Sequence, residues 1–230
     1  MSDLGCYRIV LEDALKRAYI QLVRRAGRLT TPMQMLVSVL QAHRYLPSEV
    51  IALELFGMHG LRMSIDYASI CSYLEFYEIN PIYARFARSF IRNGKVINRD
   101  SIEMLTSRKL LRSRYNLIIS DNPLASPYGE NYYEHFEIFP HVGDYISDGV
   151  LELSFVHSYK NCMPALSQKH LQAREQFYGM VDPSLEQAVQ VYDKKLPGKK
   201  ILDYIFLPRN ACLGHLALVL SPNGGRACNG

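Results

Sequence analysis

VIALELFGMHG (residues 50–60), SYLEFYEINP (72–81), GKVINRDSIEML (94–105) and YNLIISDNP (115–123) are four successive openings of the same kind, each a short apolar strand followed by a turn. Helix-compatible segments fill the intervals between them. Near-continuous apolar strands that alternate with helices predict a parallel sheet covered on both faces. In such sheets ligands sit just outside the carboxyl ends of the strands, so Glu54 to Gly60, Glu78, Asp100 and Asp121 are expected to line one crevice.

Working outward, strands are expected at 50–55, 74–77, 95–98, 116–120 and 150–156, with helices at 62–70, 82–91 and 101–112 between the first four. A helical stretch over 133–146, broken at Pro140, leads to the fifth strand. Helices at 165–178 and 184–196 then precede ILDYIFLP (201–208) and HLALVLSP (215–222). The short link between these last strands cannot make a parallel crossover, which takes about a dozen residues or more. They are expected to pair antiparallel, with 201–208 parallel to the main sheet and 215–222 reversed. Before all of this, the apolar stripe Leu15, Ala18, Leu22 and Ala26 predicts a helix over 13–28, and Thr31-Pro32 starts a second one that ends by Pro47. The chain therefore divides into a helical extension or lid, residues 1–47, and a main domain, residues 48–230.

At 230 residues there is room for one well-filled core and an appendage. With 48% hydrophobic and 21% charged residues the composition is that of a globular protein, and neither a membrane span nor a secretory signal is evident; a cytoplasmic location is expected. Five cysteines without CxxC spacing argue for reduced thiols and against a structural zinc site. The net charge of +4 is unevenly placed, with Lys16, Arg17, Arg24, Arg25 and Arg28 near the start and nine more basic residues from Arg85 to Arg114. Such faces attract polyanions, or are simply the solvated outside of helices on a sheet.

A parallel α/β sheet ending in one antiparallel hairpin resembles the class I S-adenosylmethionine-dependent methyltransferases, and the local motifs agree over about residues 50–222. ELFGMHG (54–60) is similar to the first motif of amino-methylating members, with Glu54, Phe56 and Gly60 in the matching places; Met58 stands where the pattern has glycine, and Gly57 one position early. The resemblance implies S-adenosylmethionine as cofactor, with Glu54 to Gly60 at its methionine end. Glu78, followed by Ile79, matches the ribose-binding carboxylate, while Asp100 and Ser101 match the adenine-contacting positions beside the apolar wall of Ile102. Asp100 is also a natural cap for the helix that follows. Asp121, Asn122 and Pro123 stand where these enzymes orient the acceptor amine; Leu124 and Ala125 depart from the Pro-Pro-aromatic continuation, which leaves Tyr128 to supply a ring.

The resemblance thus implies methyl transfer to an N or O acceptor, a small molecule being favoured and a nucleic acid the alternative, because no separate recognition domain fits in the chain. His135 is the candidate general base, with His59 and His157 as other histidines near the strand ends. No HxxxH or His/Cys ligand spacing suggests a metal. Two other classes compete: a noncatalytic partner or nucleic-acid-binding subunit on a degenerate methyltransferase fold, and a nicotinamide-dependent oxidoreductase, which the missing GxGxxG and the antiparallel ending disfavour.

Overall fold

A computed structural model describes residues 3–25, 30–61, 63–121, 134–158 and 168–222. Its strands are β1 (Val50–Glu54), β2 (Cys71–Tyr77), β3 (Gly94–Ile97), β4 (Tyr115–Ser120), β5 (Ile146–Val156), β6 (Lys199–Pro208) and β7 (Leu213–Pro222), joined in one sheet of order β3-β2-β1-β4-β5-β7-β6. The first five pair in parallel. β7 is antiparallel to both β5 and β6, so β6 runs with the main sheet and β7 against it, as the short link 209–212 demands. Because the chain starts at β1, moves out to β3 and returns to β4 on the other side of β1, the strand order reverses at the β1/β4 boundary.

Helices cover both faces. On one, α2 (Pro32–Ala42), α3 (Ser64–Tyr67, continued by a 3-10 turn to Ile70) and α4 (Pro81–Ala87) pack on Ala52, Leu74, Phe76, Leu117, Ile119 and Ala217. On the other, α5 (Ser101–Thr106), α6 (Phe139–Val142), α7 (Gln168–Tyr178) and α8 (Leu185–Lys195) pack on Leu53, Ile118, Leu151, Leu153, Leu216 and Leu218. Ala52 and Leu53, or Ala217 and Leu218, therefore enter different cores, which is why the strands are apolar at consecutive positions rather than at every second one. Of the N-terminal segment, α2 is a layer of this sandwich, with Leu36 and Leu40 buried in it. By contrast, α1 (Asp3–Arg25) lies over the turn after β1, where Cys6 and Val10 meet Tyr83, Met58 and Leu61.

Local chemistry sets the helix ends. Thr31 and Ser184 form capping boxes with Gln34 and Gln187, and Asn80 and Asp100 cap α4 and α5 through their side chains. α5 stops at Thr106 rather than at 112 because Arg108 turns left-handed (φ 58°) and the Lys109 N–H closes back on the Met104 carbonyl at 2.9 Å. The expected helix over 133–146 is corrected: Glu134 is left-handed (φ 54°), residues 136–138 form a 3-10 turn, and Pro140 sits in the first turn of α6 instead of breaking a longer helix. Reduced thiols are correct for Cys6 and Cys71, both buried, whereas Cys212 is disulfide-bonded. Among the described residues no helix is long and apolar enough to cross a membrane, and no cluster of His, Cys, Asp and Glu could hold a metal ion.

If α2 belongs to the sandwich, trimming it should be felt globally. Leu36→Ala is expected to lower unfolding stability by about 2–5 kcal/mol, read as a reduced urea midpoint with an unchanged slope. A loss well below 1 kcal/mol (roughly) would mean that α2 is a detachable appendage.

Candidate functional site

The turn after β1 is shaped by two glycines and one methionine. The Gly57 N–H donates to the Tyr77 carbonyl at 3.0 Å, and the Gly60 N–H closes the turn on the Gly57 carbonyl at 3.0 Å. A Cβ at Gly57 would fall 2.1 Å from the Phe76 ring, and one at Gly60, where φ is +73°, 2.3 Å from Phe90. Glycine is thus required by approach to rings beneath the turn. Met58 itself is left-handed (φ 49°), so the position where the resemblance asks for glycine does need a glycine-like backbone, and methionine adopts it with its side chain held in the small cluster beneath α1.

At the end of β1, Glu54 is buried, accepting from Ser64 Oγ at 2.8 Å and from Tyr67 Oη. Burial pushes its carboxyl up to about 8 against these two hydrogen bonds, and the nearby Asp121 and Glu152 push the same way. Both oxygens are therefore engaged by α3. At the end of β2, Glu78 accepts from the Asn80 N–H at 2.6 Å and from the Met58 backbone; burial outweighs these bonds and raises it to about 7. Asn98 donates to the carbonyls of Glu78 and Ile79, both at 2.8 Å, which fixes this corner against β3. Ile79 is left 44% exposed, an apolar surface between Glu78 and the half-buried Asp100, whose Oδ1 accepts from the Ile102 N–H at 2.8 Å. Ser101 is buried in the first turn of α5, and Phe56 packs partly buried on the α5 side of the sheet.

Farther along the same edge the expected Asp121 is joined by four groups that the sequence did not point to, Ser154, Arg209, His215 and Glu152. Asp121, after β4, accepts from Arg209 Nη1 at 2.8 Å and from Ser154 Oγ. Burial opposes its ionisation, but Arg209, Ser154 and His215 together hold the carboxyl below its ordinary range. One strand over, His215 Nδ1 lies 2.7 Å from Glu152 Oε1, both side chains buried. Burial raises Glu152, against the hydrogen bond and charge of His215. Arg209 and His215 line a cavity of about 370 Å³ together with Leu61, Met63 and Asp66 from the β1–α3 segment and Asp13 and Arg17 from α1. With Nδ1 turned to Glu152, Nε2 is the ring nitrogen left to face that cavity.

The roof of the cavity is tied down by charge. Arg17 Nη1 meets Asp66 Oδ1 at 3.0 Å and its Nε donates to the Leu61 carbonyl; Thr31 Oγ1 donates to Asp66 Oδ2 at 2.8 Å. His59 accepts the Leu61 N–H on Nδ1 at 3.2 Å, which leaves the proton on Nε2, 3.0 Å from Asp13 Oδ2. His59 thus adds a second polar contact between the turn and α1, beside Arg17 and the Leu61 carbonyl.

Of the residues expected at the site, Glu54, Phe56, Gly57, Gly60, Glu78, Ile79, Asp100, Ser101 and Asp121 follow β1 to β4 in turn along one edge of the sheet, with Glu54 facing into α3. Asn122, Pro123 and Tyr128 lie outside the described residues. His135, the expected base, is fully buried among Phe136, Phe139, Phe177 and Tyr192, with Nε2 at 2.8 Å from Tyr192 Oη. Burial depresses it to about 4, so it is a neutral core histidine at ordinary pH. His157 is half-buried at the end of β5, where its N–H donates to the Cys212 carbonyl at 2.9 Å.

No protein family and no curated protein matches the chain's sequence. Solved structures do match its fold. Trm1 from Pyrococcus horikoshii, in complex with S-adenosyl-L-methionine, superposes with a TM-score of 0.59 at 14% identity over 85% of this chain and 57% of that protein. An rRNA methylase from Streptococcus thermophilus gives 0.51 at 14% identity, covering 84% and 98% of the two chains, and TYW2 from M. jannaschii in complex with AdoMet gives 0.50 at 12%, covering 86% and 80%. The chain spans little more than half of Trm1. It has the class I methyltransferase fold, a Rossmann-like mostly parallel seven-stranded sheet with one reversed strand near its end.

The buried carboxyls give stability a definite pH dependence. For Glu54 the folded value of about 8 exceeds the unfolded 4.5, so its contribution is fully present below 4.5 and is lost as pH rises through 8; Glu78 acts in the same direction through about 7. At about 1.4 kcal/mol per pKa unit, Glu54 alone makes a difference of a few kcal/mol. Urea unfolding should show stability falling between pH 5 and pH 8.5 (roughly) and Glu54→Gln flattening that fall; equal slopes in both proteins would exclude Glu54 as its source.

Proposed function

We propose that this chain is an S-adenosylmethionine-dependent methyltransferase acting on an N or O acceptor. The observation that carries the reading is the reversal of strand order at β1, which aligns the Gly57–Gly60 turn, Glu78, Ile79 and Asp100 along one edge of the sheet in the order a nucleoside cofactor needs them.

The residues present fit that cofactor at its nucleoside end: Glu78 for the ribose hydroxyls, exposed Ile79 with Asp100 and Ser101 for adenine. Phe56 and the backbone of the 57–60 turn are the groups for the methionine end, since Glu54 is spent on Ser64 and Tyr67. S-adenosylmethionine, when bound, supplies an electrophilic methyl on a sulfonium sulfur that needs no further activation. The protein's part is then to align an acceptor, exclude water and remove one proton. Asp121, with Asn122 and Pro123 following it, holds the acceptor side, and His215 takes the acceptor's proton on Nε2 while Glu152 fixes its ring. A cavity of about 370 Å³ suits a small molecule or a single nucleic-acid base.

Two features favour a second reading, a noncatalytic subunit on a degenerate fold: Glu54 faces inward, and α1 packs on the turn itself. A single titration separates the two. S-adenosylhomocysteine should bind the purified protein by calorimetry, with affinity rising as pH passes through about 7 because ionised Glu78 is the better acceptor for ribose hydroxyls. Glu78→Gln should weaken binding about tenfold or more and remove the pH dependence. Absence of binding in the folded wild type would sink the enzyme reading in favour of the second.

A further inference from the structure

The molecule's charge is strongly polarised. Residues 81–120 contain nine Lys or Arg against Asp100 and Glu103, a net +7 within a chain of net +4, so the remainder is −3. All nine basic side chains are exposed. Among the described residues only Arg108 has an ion-pair partner, Asp144 at 3.1 Å. Self-repulsion of this kind destabilises the fold and is relieved when a polyanion covers it.

The placement is more specific than the count. β3 is the edge strand of the sheet; Arg85 lies in α4, Arg88 caps its end and Arg92 lies in the link that leads to the start of β3, while Lys95 is in the strand and Arg99 follows its carboxyl end beside Asp100. Charges on an edge strand guard against edge-to-edge pairing, and lysine serves for that. Lys95, the one charge within β3, fits that role, but the four residues that flank it are arginine, whose planar fork matches phosphate oxygens in pairs. Arg112 continues the strip below the sheet, its guanidinium 4.1 Å over the ring of Tyr73 near the start of β2. A strip that bends from one end of the strands to the other can be followed by a flexible phosphodiester chain, whereas a flat bilayer reaches one side of it.

We infer that the β3 edge is an RNA-binding surface that grips the sugar-phosphate backbone. Resting on the methyltransferase reading, it makes the acceptor a group on that RNA, delivered to the cavity at the carboxyl end of the same sheet.

The test is anisotropy with a fluorescein-labelled stem-loop RNA across about 50–200 mM salt. The triple change R92E, K95E and R99E should weaken binding at least about tenfold and reduce the slope of log affinity against log salt by about 2–3. A charge-matched control, K194E, K195E and K200E, alters exposed lysines at the end of α8 and the start of β6. It should change both readings far less. Equal losses in the two variants, or no binding by the wild type, would overturn the proposal. So would phosphatidylserine vesicles binding as tightly as RNA and losing the edge variant equally, which would make the strip a membrane contact. If the glutamate variant melts early, R92Q, K95Q and R99Q replaces it with the same expected order. S-adenosylhomocysteine affinity, measured on the same proteins, should be unchanged by the edge variant. Its absence in the wild type would remove the methyltransferase reading and leave the RNA result standing.

Discussion

The insertion of β7 between β5 and β6, antiparallel to both, is the constraint on which the site's chemistry rests. Reversal puts the start of β7 against the end of β5, so His215 stands opposite Ser154 and 2.7 Å from Glu152. The short link 209–212 carries Arg209 back over the sheet to Asp121 and Ser154. A parallel β7 would begin at the opposite end of the sheet and leave three acids, Glu54, Asp121 and Glu152, crowded without a cation. As built, Arg209 holds Asp121 below its ordinary range, while burial raises Glu54 to about 8 and shifts Glu152 upward against His215, which lets like groups share a desolvated edge.

Much the same logic fastens the N-terminal helix. Buried charge is costly alone, and Arg17 with Asp66, and Asp13 with His59, are paired across the gap between α1 and the β1–α3 segment. Thr31 and Gln34 add neutral hydrogen bonds to Asp66 from the start of α2. The helix is therefore held in register over the turn by groups that also line the cavity, and loss of its grip would open the cavity and expose the turn together.

On the opposite face of the sheet, the histidine expected to act as base serves packing instead. His135 sits in a shell of aromatic rings with Tyr192 as its polar partner, and Tyr178 Oη meets Tyr192 Oη at 2.5 Å. The neighbouring Glu134 is enclosed with His170 at 2.9 Å and with Arg174, whose Nε also donates to the Val181 carbonyl at 2.6 Å. These contacts clamp α7 to the end of β5, since Arg174 reaches the Val156 carbonyl as well.

Strand existence, the parallel order of the first units and the antiparallel ending were legible from the chain alone, because apolar runs, capping residues and link lengths are local and each has few physical solutions. So was the row of acids at strand ends, since a residue that follows a strand is placed by that strand. Orientation was not legible. Whether Glu54 faces a ligand or Ser64 and Tyr67, and whether His135 or His215 meets a cavity, depends on which side chains from distant segments converge there, and residues 152 and 215 are brought together only by the reversed strand. The helix α5 ended early for the same kind of reason, a left-handed Arg108 that no periodicity announces. Sequence thus determined the layers and their order, through local propensity and the reach of short links; the tertiary structure decided the protonation and pairing of the buried acids, because desolvation and charge pairing act through space and take no account of sequence distance.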